Sequence, residues 1–246
     1  MISAINRFYR KVFCRGGYGV HSPFAFDFIT TVIEDSCGYY CYDDLSAVRT
    51  QLRYNESKIR YSNREYSVKQ YLNKYCFSES EDKLLFRLAN RFKPKIILVA
   101  GSDLGLSPLY LTAYSNSAHC IVFEPEADVA AVSRKYTEKY SSSIELHTSC
   151  DFDVKGDIDL IVLGKKLQNS LVAHKSIIYE FEEYLNFVND ETVMVISGIN
   201  SSKKNRKEWN MVCAHPRASV TFDLYSLGIV FFNPNYHRKA YKNIAL

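Results

Sequence analysis

After residue 95, the pattern of apolar and polar positions alternates between short continuous apolar runs and longer amphipathic segments. Short continuous apolar runs predict strands, and amphipathic patterns of helical period lie between most of them. Continuous apolar strands are typical of parallel sheets that helices cover on both faces. The alternation therefore predicts an α/β fold with a doubly wound sheet. The strands are predicted at 96–100, 120–123, 144–147, 158–163 and 192–196, and the main helices at 80–92, 126–140, 170–187 and 203–213.

The end of the chain predicts a change of strand direction. Two apolar stretches, 219–225 and 228–232, are separated by only two residues. So short a link joins antiparallel strands, because a parallel pair needs a long crossover. With the five strands before it, this hairpin completes a seven-stranded, mostly parallel sheet with an antiparallel C-terminal hairpin. The domain that contains the sheet spans residues 77–246, and residues 1–76 precede it as an extension.

The N-terminal extension is predicted to be helical. Residues 1–14 are amphipathic, and Ser22-Pro23 supplies the N-cap and first-turn residues of a second helix. Residues 43–76 are expected to be helical, with a polar and mainly basic surface. The second helix carries too much apolar surface to be left in water, so the extension should pack as part of the fold. Its apolar residues are Phe24, Phe26, Phe28, Ile29 and Ile33.

One strand-to-helix turn has the residues of a ligand site. The strand at 96–100 ends in Gly101-Ser102-Asp103-Leu104-Gly105, and Glu124 follows the next strand. Glycine lets the backbone approach a ligand closely, and a carboxylate about 20 residues further on can accept both hydrogen bonds of a ribose diol. These residues predict a nucleoside site. The alternative is an ordinary turn that binds nothing.

The glycine spacing favours one class of nucleoside ligand. Gly101 and Gly105 are four residues apart, and Asp103 stands where a dinucleotide fingerprint needs glycine. Close contact with a pyrophosphate is therefore disfavoured. The turn looks more like the first motif of class I methyltransferases that use S-adenosylmethionine (SAM), a ligand without phosphate.

A second group of candidate residues follows the third strand. Asp151 would lie at the carboxyl edge of the sheet, where open α/β sheets bind their ligands. There its carboxylate could accept the amino group of adenine, and Phe152 could flank the ring. The alternative is a loop aspartate that caps a turn.

Composition and charge restrict the cellular compartment and the classes of binding partner that we expect. No run of 18 apolar residues exists, so we expect no membrane partner, and the basic N-terminus lacks the apolar segment of a secretory signal. Seven cysteines without a CxxC pair predict reduced thiols in the cytoplasm. The basic residues of 49–74 are interpreted as a solvated face. An RNA-binding surface is the alternative, but no RNA-binding signature supports nucleic acid as a partner.

A resemblance to one known family lies in four segments: 15–29, which contains the residues HSPF, 97–111, 150–154 and 215–232. These segments resemble the bacterial SAM-dependent methyltransferases that carry an N-terminal helical extension with an HSPF motif. Their catalytic domain is similar to that of the catechol-type O-methyltransferases. The resemblance implies that the glycine turn surrounds the methionine end of SAM, that Glu124 holds the ribose and that Asp151 holds the adenine. The cofactor-binding residues that the resemblance implies are Gly101, Ser102, Asp103, Gly105, Glu124, Pro125, Asp151 and Phe152.

The chain departs from the family at three acids. Val99, Leu163 and Ser197 stand where relatives carry carboxylates, and in the metal-dependent relatives the acids that end the fourth and fifth strands help to hold a divalent cation. Lys165 and Lys166 follow the fourth strand instead. The residues therefore predict no metal site. None of the six histidines is identified as a base, so the catalytic residue stays unassigned.

The resemblance implies SAM-dependent methyl transfer to an oxygen of a small-molecule acceptor, without a metal. Retention of Gly101, Gly105, Glu124 and Asp151 favours this enzyme. The missing acids favour a non-catalytic SAM-binding or scaffolding protein instead. A third alternative is an RNA-modifying methyltransferase, and a homodimer also stays open.

Overall fold

The computed structural model describes residues 19–140, 142–149, 157–164 and 176–242, together with Arg10 and Gly17. The chain divides into two compact units. We call residues 38–175 the central unit, and residues 1–37 with 176–246 the terminal unit. The proposed boundary between residues 76 and 77 lies inside the central unit. Apart from Arg10, the helix expected at 1–14 lies outside the described residues.

Helices and strands alternate through most of the described chain. The helices are α1 Pro23–Phe28, α2 Tyr42–Arg53, α3 Val68–Tyr75, α4 Glu79–Phe92, α5 Leu106–Thr112, α6 Ala127–Thr137, α7 Ile177–Tyr184 and α8 Lys203–Ala214. The strands are β1 Lys58–Tyr61, β2 Arg64–Ser67, β3 Ile96–Ala100, β4 His119–Phe123, β5 Ile144–His147, β6 Leu160–Leu163, β7 Val193–Ser197, β8 Val220–Asp223, β9 Leu227–Phe231 and β10 Lys239–Lys242.

A sheet of four parallel strands forms the core of the central unit. Its order is β6-β3-β4-β5, with Ile97 beside both Leu160 and Cys120. All of β6 and nearly all of β3 is buried, as the continuous apolar runs predict for parallel strands. After β5 the chain crosses to the other side of β3 to form β6. The strand order therefore reverses between β3 and β6.

The structure corrects the prediction of a helix over residues 43–76. Helix α2 ends at Arg53, and β1 and β2 then form an antiparallel hairpin before α3 begins. Ser62 and Asn63 both have positive φ, 50° and 60°, which suits a tight hairpin turn. Along β1, exposed and buried residues alternate, with Ile59 and Tyr61 facing the core. The alternation spans only four residues and does not continue in β2, where Arg64 and Glu65 are both exposed, so the strands are too short to give a clear period of two.

Local capping explains why α4 begins and ends where it does. Ser78 is the N-cap, and its Oγ accepts a hydrogen bond from the Glu81 amide at 3.3 Å. The Glu81 carboxylate accepts one in return from the Ser78 amide at 2.7 Å, which completes a capping box. The helix stops at Lys93, which is left-handed with φ 51°, and Pro94 prevents its continuation.

The terminal unit contains the predicted C-terminal hairpin and one strand that was not predicted. β8 pairs antiparallel with β9, and β9 pairs antiparallel with β7. The additional strand β10 pairs parallel with β8, with Tyr241 beside Phe222. The two unit sheets thus hold eight strands in the described residues, against the seven expected. Most of their pairings are parallel, which confirms an α/β fold with a mostly parallel sheet.

Aromatic packing fixes α1 within the terminal unit. Ser22 caps the helix as predicted, and its Oγ accepts a hydrogen bond from Ala25 N at 3.3 Å. The ring of Phe28 lies 4.7 Å from that of Phe222, and the ring of Phe24 lies 5.0 Å from that of Phe231. Phe26 differs from the prediction, because 48% of its surface is exposed. The other apolar residues of this segment pack as expected.

An ion pair joins the two ends of the chain. Arg10 Nη1 and Nη2 donate to the two Asp223 carboxylate oxygens at 2.6 and 3.1 Å. The same carboxylate accepts a hydrogen bond from Arg206. Among the described residues, no helix is both long and apolar enough to cross a bilayer.

Candidate functional site

The candidate site lies where the strand order of the central unit reverses. Ligands of open α/β sheets bind at the carboxyl ends of the strands beside such a switch point. Here the carboxyl ends of β3 and β6 are joined by a hydrogen bond from Gly164 N to Ala100 O of 2.9 Å. The predicted glycine turn leaves β3 at this position.

The glycine turn has an unusual backbone. Gly101, Asp103, Leu104 and Gly105 all have positive φ, of 92°, 51°, 56° and 91°. For Asp103 and Leu104 such a conformation costs about 1–3 kcal/mol each, and it persists only where surrounding contacts enforce it. A Cβ at Gly105 would lie 2.9 Å from Thr137 Cγ2, so glycine is also required sterically.

The structure brings the glycine turn and Glu124 together, as predicted. Glu124 Oε2 accepts hydrogen bonds from Ser102 N at 3.1 Å and from Ser102 Oγ at 2.8 Å. Glu124 Oε1 accepts one from Glu126 N at 3.1 Å. The residue is 0% exposed. The carboxylate therefore faces into the protein, and a ribose diol would have to share it with Ser102.

Two tyrosines of the extension lie near this carboxylate. Burial raises the pKa of both the Tyr61 and the Tyr71 phenol, and the charge of Glu124 raises each further. Their rings meet edge to face, with centroids 5.5 Å apart. Both belong to one apolar cluster with Leu104 of the glycine turn. No sequence pattern predicted that tyrosines 30 or more residues before the turn would border it.

Asp103 is directed towards the segment that precedes α4. Its Oδ1 accepts a hydrogen bond from Phe77 N at 2.9 Å, and the residue is 8% exposed. Burial raises the pKa of the neighbouring Cys76 thiol, and the Asp103 carboxylate raises it further. Asp103 thus supports the shape of the turn with its side chain.

Ser107 is a candidate that the sequence reasoning missed. It lies two residues after Gly105, in α5, and is 0% exposed. Its Oγ has no hydrogen-bond partner among the described residues. A buried polar atom without a partner costs free energy, so it often marks a place where a ligand or water binds. A serine just after the second glycine was the available signal.

Several solved structures that superpose on this chain are methyltransferases. One from Geobacter sulfurreducens aligns over 77% of this chain and 88% of its own, with a TM-score of 0.56 and 15% identity. The fold is that of the class I methyltransferases. An O-methyltransferase from Bacillus cereus, in complex with SAH, aligns over 84% and 97%, with a TM-score of 0.54 and 16% identity. The O-methyltransferase TomG from Streptomyces achromogenes, involved in tomaymycin synthesis, was solved in complex with SAM. It aligns over 85% of this chain and 94% of its own, with a TM-score of 0.52 and 13% identity.

At these identities the likeness shows the fold alone. No family model matches the chain, and no curated protein matches it. The glycine turn with Gly101, Ser102 and Gly105 follows the end of β3 in this fold. Glu124 follows the end of β4. Pro125 follows Glu124 and is exposed.

The remaining positions of interest follow β5 and β6. Asp151 and Phe152, and also Lys165 and Lys166, lie outside the described residues. Leu163 ends β6 and is 1% exposed, so this position of the class I methyltransferase fold offers no oxygen ligand. No group of three or more His, Cys, Asp or Glu residues in the described part of the chain is arranged to hold a metal ion.

Proposed function

We propose that this chain binds SAM and transfers its methyl group to an oxygen of a small molecule, without a metal. The observation that carries the proposal is the left-handed glycine turn, hydrogen-bonded to Glu124 at the switch point of a class I methyltransferase fold. Two solved structures with this fold contain SAH or SAM.

The residues present fit the parts of SAM in chain order. Gly101, Ser102, Asp103 and Gly105 would border the methionine end, and the unpartnered Ser107 Oγ could donate to its carboxylate. Glu124 and Pro125 would border the ribose. The adenine would fall to Asp151 and Phe152, which lie outside the described residues.

When bound, SAM would supply an electrophilic methyl group on a positively charged sulfur. An oxygen of the acceptor would attack the methyl carbon in line, the bond from sulfur to the methyl carbon would break, and the sulfur would leave as the neutral thioether of SAH. The protein's main contribution to such a step is positioning, because the bound geometry replaces a bimolecular encounter. The Ser102–Glu124 hydrogen bonds hold the turn and the Glu124 carboxylate, which we propose as the ribose ligand, in one arrangement. No residue of the described chain is assigned as the base.

The acceptor is proposed to be anionic. Leu163 replaces an acid at the end of β6, and a dication needs several oxygen ligands. Lys165 and Lys166 follow in the sequence and would repel a cation but attract a carboxylate or phosphate. Acceptors that carry such a group therefore suit this chain better than neutral catechols.

Binding is tested by calorimetry with SAH. We expect one site, weakened roughly 10- to 150-fold in Glu124→Gln, because a hydrogen bond to a charged group is worth about 1.5–3 kcal/mol. Glu145→Gln is the matched control, since Glu145 is an exposed carboxylate on the neighbouring strand. No heat from the wild-type protein at millimolar SAH would refute SAM as the cofactor.

The complete burial of Glu124 favours a second candidate, a non-catalytic protein with this fold. A screen of acceptors with labelled SAM, run with magnesium and with chelator, separates the two candidates. The enzyme predicts transfer that chelator leaves unchanged. SAH binding without transfer to any acceptor would favour the non-catalytic protein.

A further inference from the structure

A buried arginine of the extension is linked to the glycine turn. Arg49 lies in α2 and is 4% exposed. Its Nη2 donates to the Phe77 carbonyl oxygen at 3.0 Å and to the Asp82 carboxylate, which is 0% exposed. One guanidinium therefore fixes both the segment before α4 and the first turn of α4 itself.

The same segment holds the turn. Phe77 accepts from Arg49 through its carbonyl and donates through its amide to Asp103 Oδ1 at 2.9 Å. Phe77 is 2% exposed, so water cannot easily replace either contact. A continuous path of hydrogen bonds thus runs from Asp82 through Arg49 and Phe77 to Asp103, the first left-handed non-glycine residue of the turn.

The charges of this path depend on Arg49. Burial by itself would lower the pKa of Arg49, but the carboxylates of Asp82 and Asp103 raise it. Burial and the charge of Asp103 raise the pKa of Asp82. Two buried carboxylates thus share one guanidinium. Without Arg49 the two buried carboxyl groups would lack a compensating positive charge, which favours a shift of Asp103 and of the turn that carries it.

Apolar contacts of the extension hold the next residue of the turn. Leu104 is 0% exposed and belongs to one cluster with Leu52 of α2, Tyr71 of α3 and Val129 of α6. Asp103 and Leu104, the two strained residues, are thus both contacted by residues that precede the sheet. This fits the rule that strained backbone persists where surrounding contacts enforce it.

We propose that Arg49 is a positioning residue, which keeps the glycine turn in its ligand-binding conformation through Phe77 and Asp103. The extension would then act on the candidate site without touching the ligand. The effect on cofactor affinity rests on the proposed function, whereas the effect on the turn itself does not.

The test uses the full chain and three variants. Arg49→Gln removes the charge, and Arg49→Lys keeps the charge but lacks the fork that reaches two acceptors. Arg53→Gln is the control, because Arg53 is an exposed arginine in the last turn of the same helix. Hydrogen exchange is followed in residues 101–107 and, for comparison, in α6. SAH affinity is measured by calorimetry.

For Arg49→Gln we expect exchange in 101–107 at least tenfold faster, with exchange in α6 unchanged and SAH affinity at least tenfold weaker. Arg49→Lys should give the same pattern to a lesser extent, and it carries the test if Arg49→Gln does not fold. Arg53→Gln should match the wild type. Unchanged exchange in the turn, or an equal increase in the turn and α6, would overturn the proposal. If wild-type protein does not bind SAH, the proposed function fails, and the exchange data still decide the role of Arg49.

Discussion

Removal of the Arg10 guanidinium should destabilise the protein measurably. Arg10 and Asp223 have side chains that are only 12% and 5% exposed. Arg10 donates to both carboxylate oxygens of Asp223 and to its carbonyl oxygen. Removing the sole partner of a buried charge costs about 3–5 kcal/mol. Arg206 continues to neutralise Asp223 when Arg10 is replaced, so the expected loss is smaller, about 2–3 kcal/mol.

The perturbation is Arg10→Met, which keeps the apolar stem and removes the charge. A chain of this size loses about 2–4 °C of melting temperature per kcal/mol, so we expect a decrease of roughly 4–12 °C in a thermal unfolding scan. Lys58→Met is the matched control, because Lys58 pairs with Glu65 at the surface, with 69% and 54% of their side chains exposed. Its melting temperature should stay close to that of the wild type. An Arg10→Met shift no larger than the Lys58→Met shift would refute the reasoning.

The same contact predicts the sign of a pH dependence. Burial alone would raise the pKa of Asp223, but the hydrogen bonds and charge of Arg10 and Arg206 lower it below the ordinary 3.8. The folded protein then binds fewer protons at this site than the unfolded chain. The stabilisation is complete above about pH 4 and is lost as the pH falls through the folded pKa. The stability difference between wild type and Asp223→Asn should therefore decrease below about pH 4, and a constant difference would contradict the assignment.

Three further predictions concern other parts of the molecule. Gly228→Ala should lower stability by about 1–3 kcal/mol, because its Cβ would lie 2.4 Å from the ring of Trp209, and a fluorescence change of this single tryptophan during urea unfolding reports it. Deletion of residues 1–40 should give an aggregating or destabilised protein, since Phe24 and Phe28 pack on the terminal sheet; a soluble truncation with an unchanged melting temperature would disprove this. Methyl transfer, once an acceptor is found, should proceed equally with EDTA and with magnesium, and magnesium-dependent methylation of a catechol would show that the predicted strand ends are misaligned.

Local sequence patterns predicted the elements whose own residues carry the signal. β3 and β5 match their predicted bounds, because continuous or alternating apolar residues identify a strand without knowledge of its neighbours. The helix start at Ser22-Pro23 was likewise predicted from the residues that form the cap. These features depend on interactions within a few residues.

The features that the sequence did not predict depend on contacts between distant residues. β10 has only Tyr241 buried, and it becomes a strand by pairing with β8. The sequence placed Glu124 at the right strand end, yet the orientation of its carboxylate follows from Ser102, 22 residues earlier. The link from Arg49 to Asp103 passes through the backbone of Phe77, which no side-chain pattern encodes.

The division of the chain into two units has a consequence for the order in which the protein can form. Residues 38–175 are contiguous, so their core can assemble while the rest of the chain is still being synthesised. The terminal unit needs both ends of this sequence, and Arg10 pairs with Asp223, which follows it 213 positions later. At roughly 5–20 residues per second, translation separates these partners by about 10–40 s. During that interval Phe24 and Phe28 lack the strands that bury them, so α1 exposes apolar surface that chaperones can bind.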